Sequence, residues 1–224
     1  MFVGHFGVAF GAKRYAPAVS LGILFLAAQL ADLIWPNLVL LGIEQLRIDP
    51  GATVLTPLDF VYYPWSHSLV ALAVWGALFA LLYAGVTRAG RTVALVIAAL
   101  VLSHWVLDAL VHRADMPLLT GTGVRVGLGL WNHPVAAVAT ELAIFGAGVW
   151  LYLRRTRATD RIGSIGLWAL VTFLFAVYVA NILGSVLGPP PPSVAAVAWS
   201  AEAMWLLVFW GFWVDRHRSL RVAA

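Results

Sequence analysis

Along the chain, long apolar runs alternate with short polar or glycine-rich joins. The runs lie at about 17–46 (interrupted at Pro36), 65–86, 92–112, 133–153, 163–187 and 195–214. Each is long enough for a helix to cross roughly 30 Å of hydrocarbon. None shows the strict alternation of a barrel strand, and an open sheet leaves backbone groups unsatisfied in lipid, so the pattern predicts helices throughout. The expected fold is all-α, a polytopic transmembrane helix bundle of about six spans. It forms a single integral membrane domain over 1–224, with site-bearing helices in 1–153 and two additional spans in 154–224. Pro64 and Ser66 mark the start of the second run, and Pro134 falls in the first turn of the fourth. Gly188, followed by Pro189, Pro190, Pro191 and Pro192, cannot continue a helix and predicts a stiff spacer between the last two spans.

Composition supports this. The chain is 62% hydrophobic and 11% charged, against about 25% charged in a soluble domain, and its mean hydropathy is +0.91. The net charge of +4 does not imply a nucleic-acid partner, because the arginines sit in short joins beside apolar runs, where topology accounts for them. In a six-span bundle all basic residues except Arg47, Arg113 and Arg125 fall on one side. The positive-inside rule makes that side cytoplasmic, together with both termini, and puts the joins at 47–64, 113–132 and 188–194 outside. The expected location is the plasma (inner) membrane of a prokaryotic-type cell. Met1-Phe2-Val3-Gly4-His5 lacks the basic start of a signal peptide, and no small-residue cleavage site follows, so the first span is expected to remain in the mature protein. Tyr62, Tyr63, Trp65 and Trp131 suit an aromatic belt at the outer interface.

The chain contains no cysteine, which excludes disulfides, thiolate metal sites and cysteine nucleophiles, so any metal rests on His, Asp and Glu. His104, Asp108 and His112 recur every four residues and form one stripe on a helix. Adjacent members lie about 6 Å apart along the axis, close enough to share a cation, whereas the outer two, roughly 12 Å apart, cannot share one directly. His67 opens the second span and Asp32 lies toward the outer end of the first, so His67, His104, Asp108 and Asp32 form the candidate metal set. A buried carboxylate is costly unless a proton, a cation or a metal neutralises it. This donor set suits Zn²⁺, with Mn or Fe as alternatives, in a centre that keeps a position open for water. His133, at the outer start of the fourth span, is a further candidate ligand. His5 reaches the site only if residues 2–13 fold back against the first span, with Lys13-Arg14 at the turn. Glu141 is a candidate general base, with His112 as a second catalytic candidate. Arg113 and Arg125, in a flexible join able to cover the site, are candidate contacts for an anionic substrate group.

At these residues the chain resembles the bacterial inner-membrane proteins called membrane-bound metal-dependent hydrolases. The features that match are Gly4-His5, Asp32 followed by Pro36, Ser66-His67-Ser68, and Ser103-His104 with Asp108 followed by Met116-Pro117-Leu118-Leu119. They cover roughly residues 4–119. Where the family often shows Asp-x-Asp-His-Pro, this chain has Asp32-Leu33-Ile34-Trp35-Pro36, so one carboxylate and one histidine are missing, and His112 or His133 are the candidates to replace them. The expectation is a metal-dependent hydrolase acting at the outer leaflet on a lipid or lipid-linked substrate through a metal-activated water. Two alternatives are a proton- or metal-ion-coupled transporter and a non-catalytic membrane partner with a structural metal. Membrane lipids are the expected partners.

Overall fold

The computed structural model describes residues 1–121 and 123–221. Thr122, inside the join expected to cover the site, and residues 222–224 of the arginine-bearing tail lie outside the described residues. In chain order the elements are α1 (Val3–Ala12), α2 (Leu21–Ala28), α3 (Leu30–Leu40), β1 (Gln45–Ile48), β2 (Leu58–Tyr62), α4 (Pro64–His67), α5 (Leu69–Thr87) and α6 (Arg91–Val111). They continue with β3 (Met116–Pro117), β4 (Arg125–Val126), α7 (Pro134–Arg155), β5 (Thr156–Ala158), α8 (Arg161–Leu187), α9 (Val194–Glu202), α10 (Met204–Arg216) and β6 (Arg218–Leu220). The chain is an all-α bundle with three small two-stranded ribbons, β1–β2, β3–β4 and β5–β6. Five helical segments are long and apolar enough to cross a membrane, and the α2–α3 pair, bent by 54°, makes up to six. Large apolar side chains such as Leu81, Leu82 and Leu95 lie on the outer surface of the bundle, as expected where lipid is the solvent.

The first span bends at Gln29, not at Pro36 as the sequence predicts. Pro36 lies inside α3, where its ring removes only one ladder hydrogen bond, whereas at Gln29 the backbone leaves helical values (φ −104°, ψ 9°). The second run is also divided: Ser68 is extended, and its hydroxyl accepts from the Ala71 amide (3.1 Å) to cap α5, so His67 stands on the separate turn α4.

Helix α1, ten residues long, is too short to span and folds back into the bundle against α7, α2 and α6. Glycines allow this. A Cβ at Gly7 would stand 2.7 Å from Ile144 O and Phe145 Cα, and one at Gly148 would run into the Gly7 carbonyl, so α1 and α7 pack backbone to backbone. The turn after α1 is fixed where Lys13 Nζ donates to Val19 O (2.7 Å) and to Asp215 Oδ2 (2.6 Å) at the end of α10. Lys13 and Arg14 therefore lie on the arginine-rich side. Met1 does not: contrary to the expectation for the amino end, the hairpin carries it into the bundle, where its amino group pairs with Asp108. Beneath this point Phe6, Phe10, Phe25 and Phe145 pack edge to face, filling the interior toward the arginine-rich side.

Candidate metal centre

Four side chains from three stretches of chain meet near the middle of the bundle. His104 and Asp108 come from α6, Asp32 from α3 just after the bend, and His67 from α4. His67 Nε2 lies 3.3 Å from Asp32 Oδ1 and 3.8 Å from Asp108 Oδ2. His104 Nε2 lies 3.6 Å from Asp32 Oδ1 and 3.1 Å from Asp108 Oδ2. Ligand atoms on a tetrahedral ion with bonds of about 2.0–2.2 Å stand roughly 3.3–3.6 Å apart, so these four His–Asp distances bracket that spacing, and Asp32, His67 and His104 form a set with mutual ligand spacing. His104 Nε2 is buried and has no hydrogen-bond partner among the described residues, an orphaned lone pair that a cation would satisfy. His104 and Asp108 are buried, whereas 23% of the Asp32 side chain is accessible, which leaves one side of the cluster open.

The surrounding groups fix which nitrogen of each imidazole faces inward. The bend at Gln29 frees the Ala28 carbonyl, which accepts from His104 Nδ1 at 2.8 Å and leaves Nε2 facing the cluster. His67 Nδ1 lies 2.6 Å from Ser66 Oγ, and Ser66 in turn donates to Glu44 Oε2 at 2.6 Å. Glu44 is buried and also accepts from the amides of Trp65 (2.8 Å) and Ser66 (2.9 Å). This carboxylate–hydroxyl–imidazole chain holds the His67 tautomer, as groups behind metal-bound histidines do. Ser66→Ala is expected to weaken metal retention about 10–100-fold with little change in thermal stability, as checked by competition with a graded series of chelators. Unchanged affinity would remove Ser66 from the site.

His5 is brought to the cluster by the α1 hairpin. Its ring stacks on His104 with centroids 3.8 Å apart and planes 4° from parallel, and its Nε2 lies 3.0 Å from Asp108 Oδ1. Asp108 thus divides its work: Oδ1 meets His5 and the Met1 amino group, while Oδ2 faces His67 and His104. His5, His104 and Asp108 form a second set with ligand spacing, alongside Asp32, His67 and His104. Glu141 accepts from the amides of Phe2 (2.8 Å) and Gly4 (3.3 Å) through Oε2. It therefore caps the start of α1, the end that a carboxylate stabilises.

The structure does not bring the other candidates to the cluster. At His112, α6 ends and the backbone turns extended (ψ 147°), which takes its side chain off the His104 stripe. Its Nδ1 instead meets Asp115 Oδ1 at 3.0 Å, beside Tyr63. Burial and the Asp115 carboxylate hold the Tyr63 phenol well above its ordinary pKa, so it stays a donor to Asp115 (3.1 Å). His133 is exposed at the start of α7. Arg113 is paired with Asp59 and Asp115, and Arg125 donates to Val61 O at 3.2 Å. Both arginines brace the joins at 47–64 and 113–132.

A cavity of about 940 Å³ adjoins the cluster. Asp32, Trp35 and Glu141 line it, together with Val177, Tyr178, Leu207 and Trp210. Such a volume lies at the upper end of the roughly 300–1,000 Å³ typical of small-molecule sites. Comparison with protein-family models, with curated proteins and with solved structures returned no match.

Proposed function

We propose that this chain is a metal-dependent hydrolase of a prokaryotic inner membrane, acting at the outer leaflet on a lipid or lipid-linked substrate. The observation that carries this reading is the ligand spacing of His67, His104 and Asp32, with Asp108 within 3.8 Å of His67 and 3.1 Å of His104, beside a cavity that Asp32 lines. The N/O donor set fits zinc, and also manganese or iron. A divalent ion held there would bring the pKa of a water toward neutrality and polarise a substrate carbonyl or phosphoryl oxygen.

The chain's own groups do the rest. Ala28 O at His104 Nδ1, and Ser66 with Glu44 at His67 Nδ1, turn both Nε2 atoms inward. His5 orients Asp108. Glu141 lines the cavity, and its Oε1 has no hydrogen bond among the described residues, so it is positioned to take a proton from water and return it to the leaving group. The resemblance over residues 4–119 supports the same reading. The phenylalanine packing between the cluster and the arginine-rich side favours hydrolysis over coupled transport, which needs polar groups continuing to that side.

The test is to incubate the zinc- or manganese-loaded protein, in lipid nanodiscs, with phospholipids and lipid pyrophosphates, and to compare it with chelated protein and with Glu141→Gln. Loaded protein is expected to release product, with Glu141→Gln about 10²–10⁴-fold slower. Equal, background rates in all three would sink the hydrolase reading.

A further inference from the structure

Helices α8 and α10 form a cleft that is closed at one end only. Toward the arginine-rich side they touch: a Cβ at Gly163 would collide with the His217 carbonyl, Gly166 faces the Trp213 ring, and Trp210 Nε1 donates to Gly166 O at 3.2 Å. Beyond Phe173 the helices border the cavity, which Phe173, Val177 and Leu206 line together with the proline-rich spacer at 188–192. Phe173 is 46% and Leu206 68% exposed, so the rim of the cleft lies on the surface that faces lipid, and its floor reaches Asp32 and Glu141.

The lining also has a charge character. It includes the carboxylates of Asp32 and Glu141 and no lysine, arginine or histidine side chain. The Met1 amino group is committed to Asp108, and Arg113 and Arg125 are committed to the outer joins. Trp35, in the wall next to Asp32, has a buried Nε1–H with no partner among the described residues, a donor that a carbonyl oxygen would satisfy. In the metal-free cleft a phosphate dianion would meet carboxylates with no cationic side chain to offset them, whereas an uncharged acyl group meets an apolar wall and a free donor.

We propose that the cleft admits a hydrocarbon chain of a membrane lipid sideways from the bilayer, and that the group it presents to the cluster is an uncharged carboxylic ester or amide. This rests on the hydrolase reading for its reaction but not for its binding. In the reaction, the oxygen of water bonds to the carbonyl carbon and the ester C–O or amide C–N bond breaks. The leaving oxygen or nitrogen takes a proton from the water, giving a carboxylic acid and an alcohol or amine.

The experiment uses nanodiscs of phosphatidylcholine containing a trace of phosphatidylcholine with a photoreactive diazirine on one acyl chain. Label on Phe173, Val177 and Leu207 is expected to exceed label on Leu78 and Leu81 of α5, and to survive in chelated protein. Two variants fill the cleft. At Gly184, which lines the cavity, a Cβ would have nothing within 4 Å, so Gly184→Phe adds bulk without a backbone clash, and Ala180→Trp does so one turn away. Each is expected to lower cleft labelling about tenfold, the effect of losing about 1.4 kcal/mol of binding, while α5 labelling stays unchanged. An excess of a long-chain N-methyl amide is expected to compete, and an equal excess of an alkyl phosphate is not. Labelling of the cleft no denser than α5, or unaffected by both variants, overturns the proposed entry. Equal competition by the phosphate overturns the ester or amide assignment. Because binding is read in chelated protein, a failed hydrolysis assay leaves these outcomes intact.

Discussion

Detergent-purified protein passed through a mild chelator is expected to keep close to one divalent ion per chain, and His104→Ala and Asp108→Ala are each expected to lose it. Both residues stand at the centre of the cluster. His104 Nε2 is within 3.6 Å of Asp32 and 3.1 Å of Asp108, and Asp108 Oδ2 faces both histidines. Removing either leaves three donors and, with Asp108, also removes the charge that makes the buried site favourable for a cation. Groups behind the ligands cost 10–100-fold when lost, so loss of a ligand itself should lower affinity by more than about 100-fold. His5→Ala is a built-in control, since His5 orients Asp108 through its other oxygen and should weaken binding without abolishing it. Elemental analysis after reloading decides. An absence of metal in the unsubstituted protein would move proton-coupled transport to the front, and metal retained in both variants would place any ion elsewhere.

Asp215→Ala should be the most destabilising single change on the arginine-rich side. The carboxylate accepts from Lys13 Nζ at 2.6 Å, the Leu21 amide at 3.2 Å and the Tyr152 hydroxyl at 2.7 Å. It thereby ties the α1–α2 turn, the start of α2, and α7 to the end of α10. Lys13 is 4% exposed, so the variant leaves a buried ammonium with one carbonyl partner, a loss of about 3–5 kcal/mol. The Lys13→Ala, Asp215→Ala double variant should recover part of it, because the unpaired charge is gone. Thermal unfolding in one detergent reads all three variants. Since the same contact holds the hairpin that carries His5, Asp215→Ala should also loosen metal retention. A stability change below about 0.5 kcal/mol, typical of surface sites, would show that the α1 hairpin is not anchored there.

The amino-acid sequence determined the solvent and the class of this protein. Hydrophobic run length left helices as the only way to satisfy the backbone in lipid, and the ends of α6, α7 and α8 fall within two residues of the predicted runs. The four-residue spacing of His104 and Asp108 placed them on one face because helical geometry is local. Their meeting with Asp32 and His67 was legible only as a convergence of short motifs. What lay beyond the sequence depends on contacts between distant segments. The return of α1 is decided by backbone contact at Gly7 and Gly148 and by Lys13 reaching Asp215, and no local pattern encodes either. The bend at Gln29 carries no proline signal, and its consequence, a carbonyl offered to His104, exists only once α6 lies beside it. Ser66 was visible next to His67, but Glu44 comes from the other side of a hairpin and had no signal at all. His112 fitted the stripe by count and left it because α6 stops there. The sequence therefore specified which groups could serve as ligands, and the tertiary structure decided which of them come together, since ligand distance is set by helix packing and not by spacing along the chain.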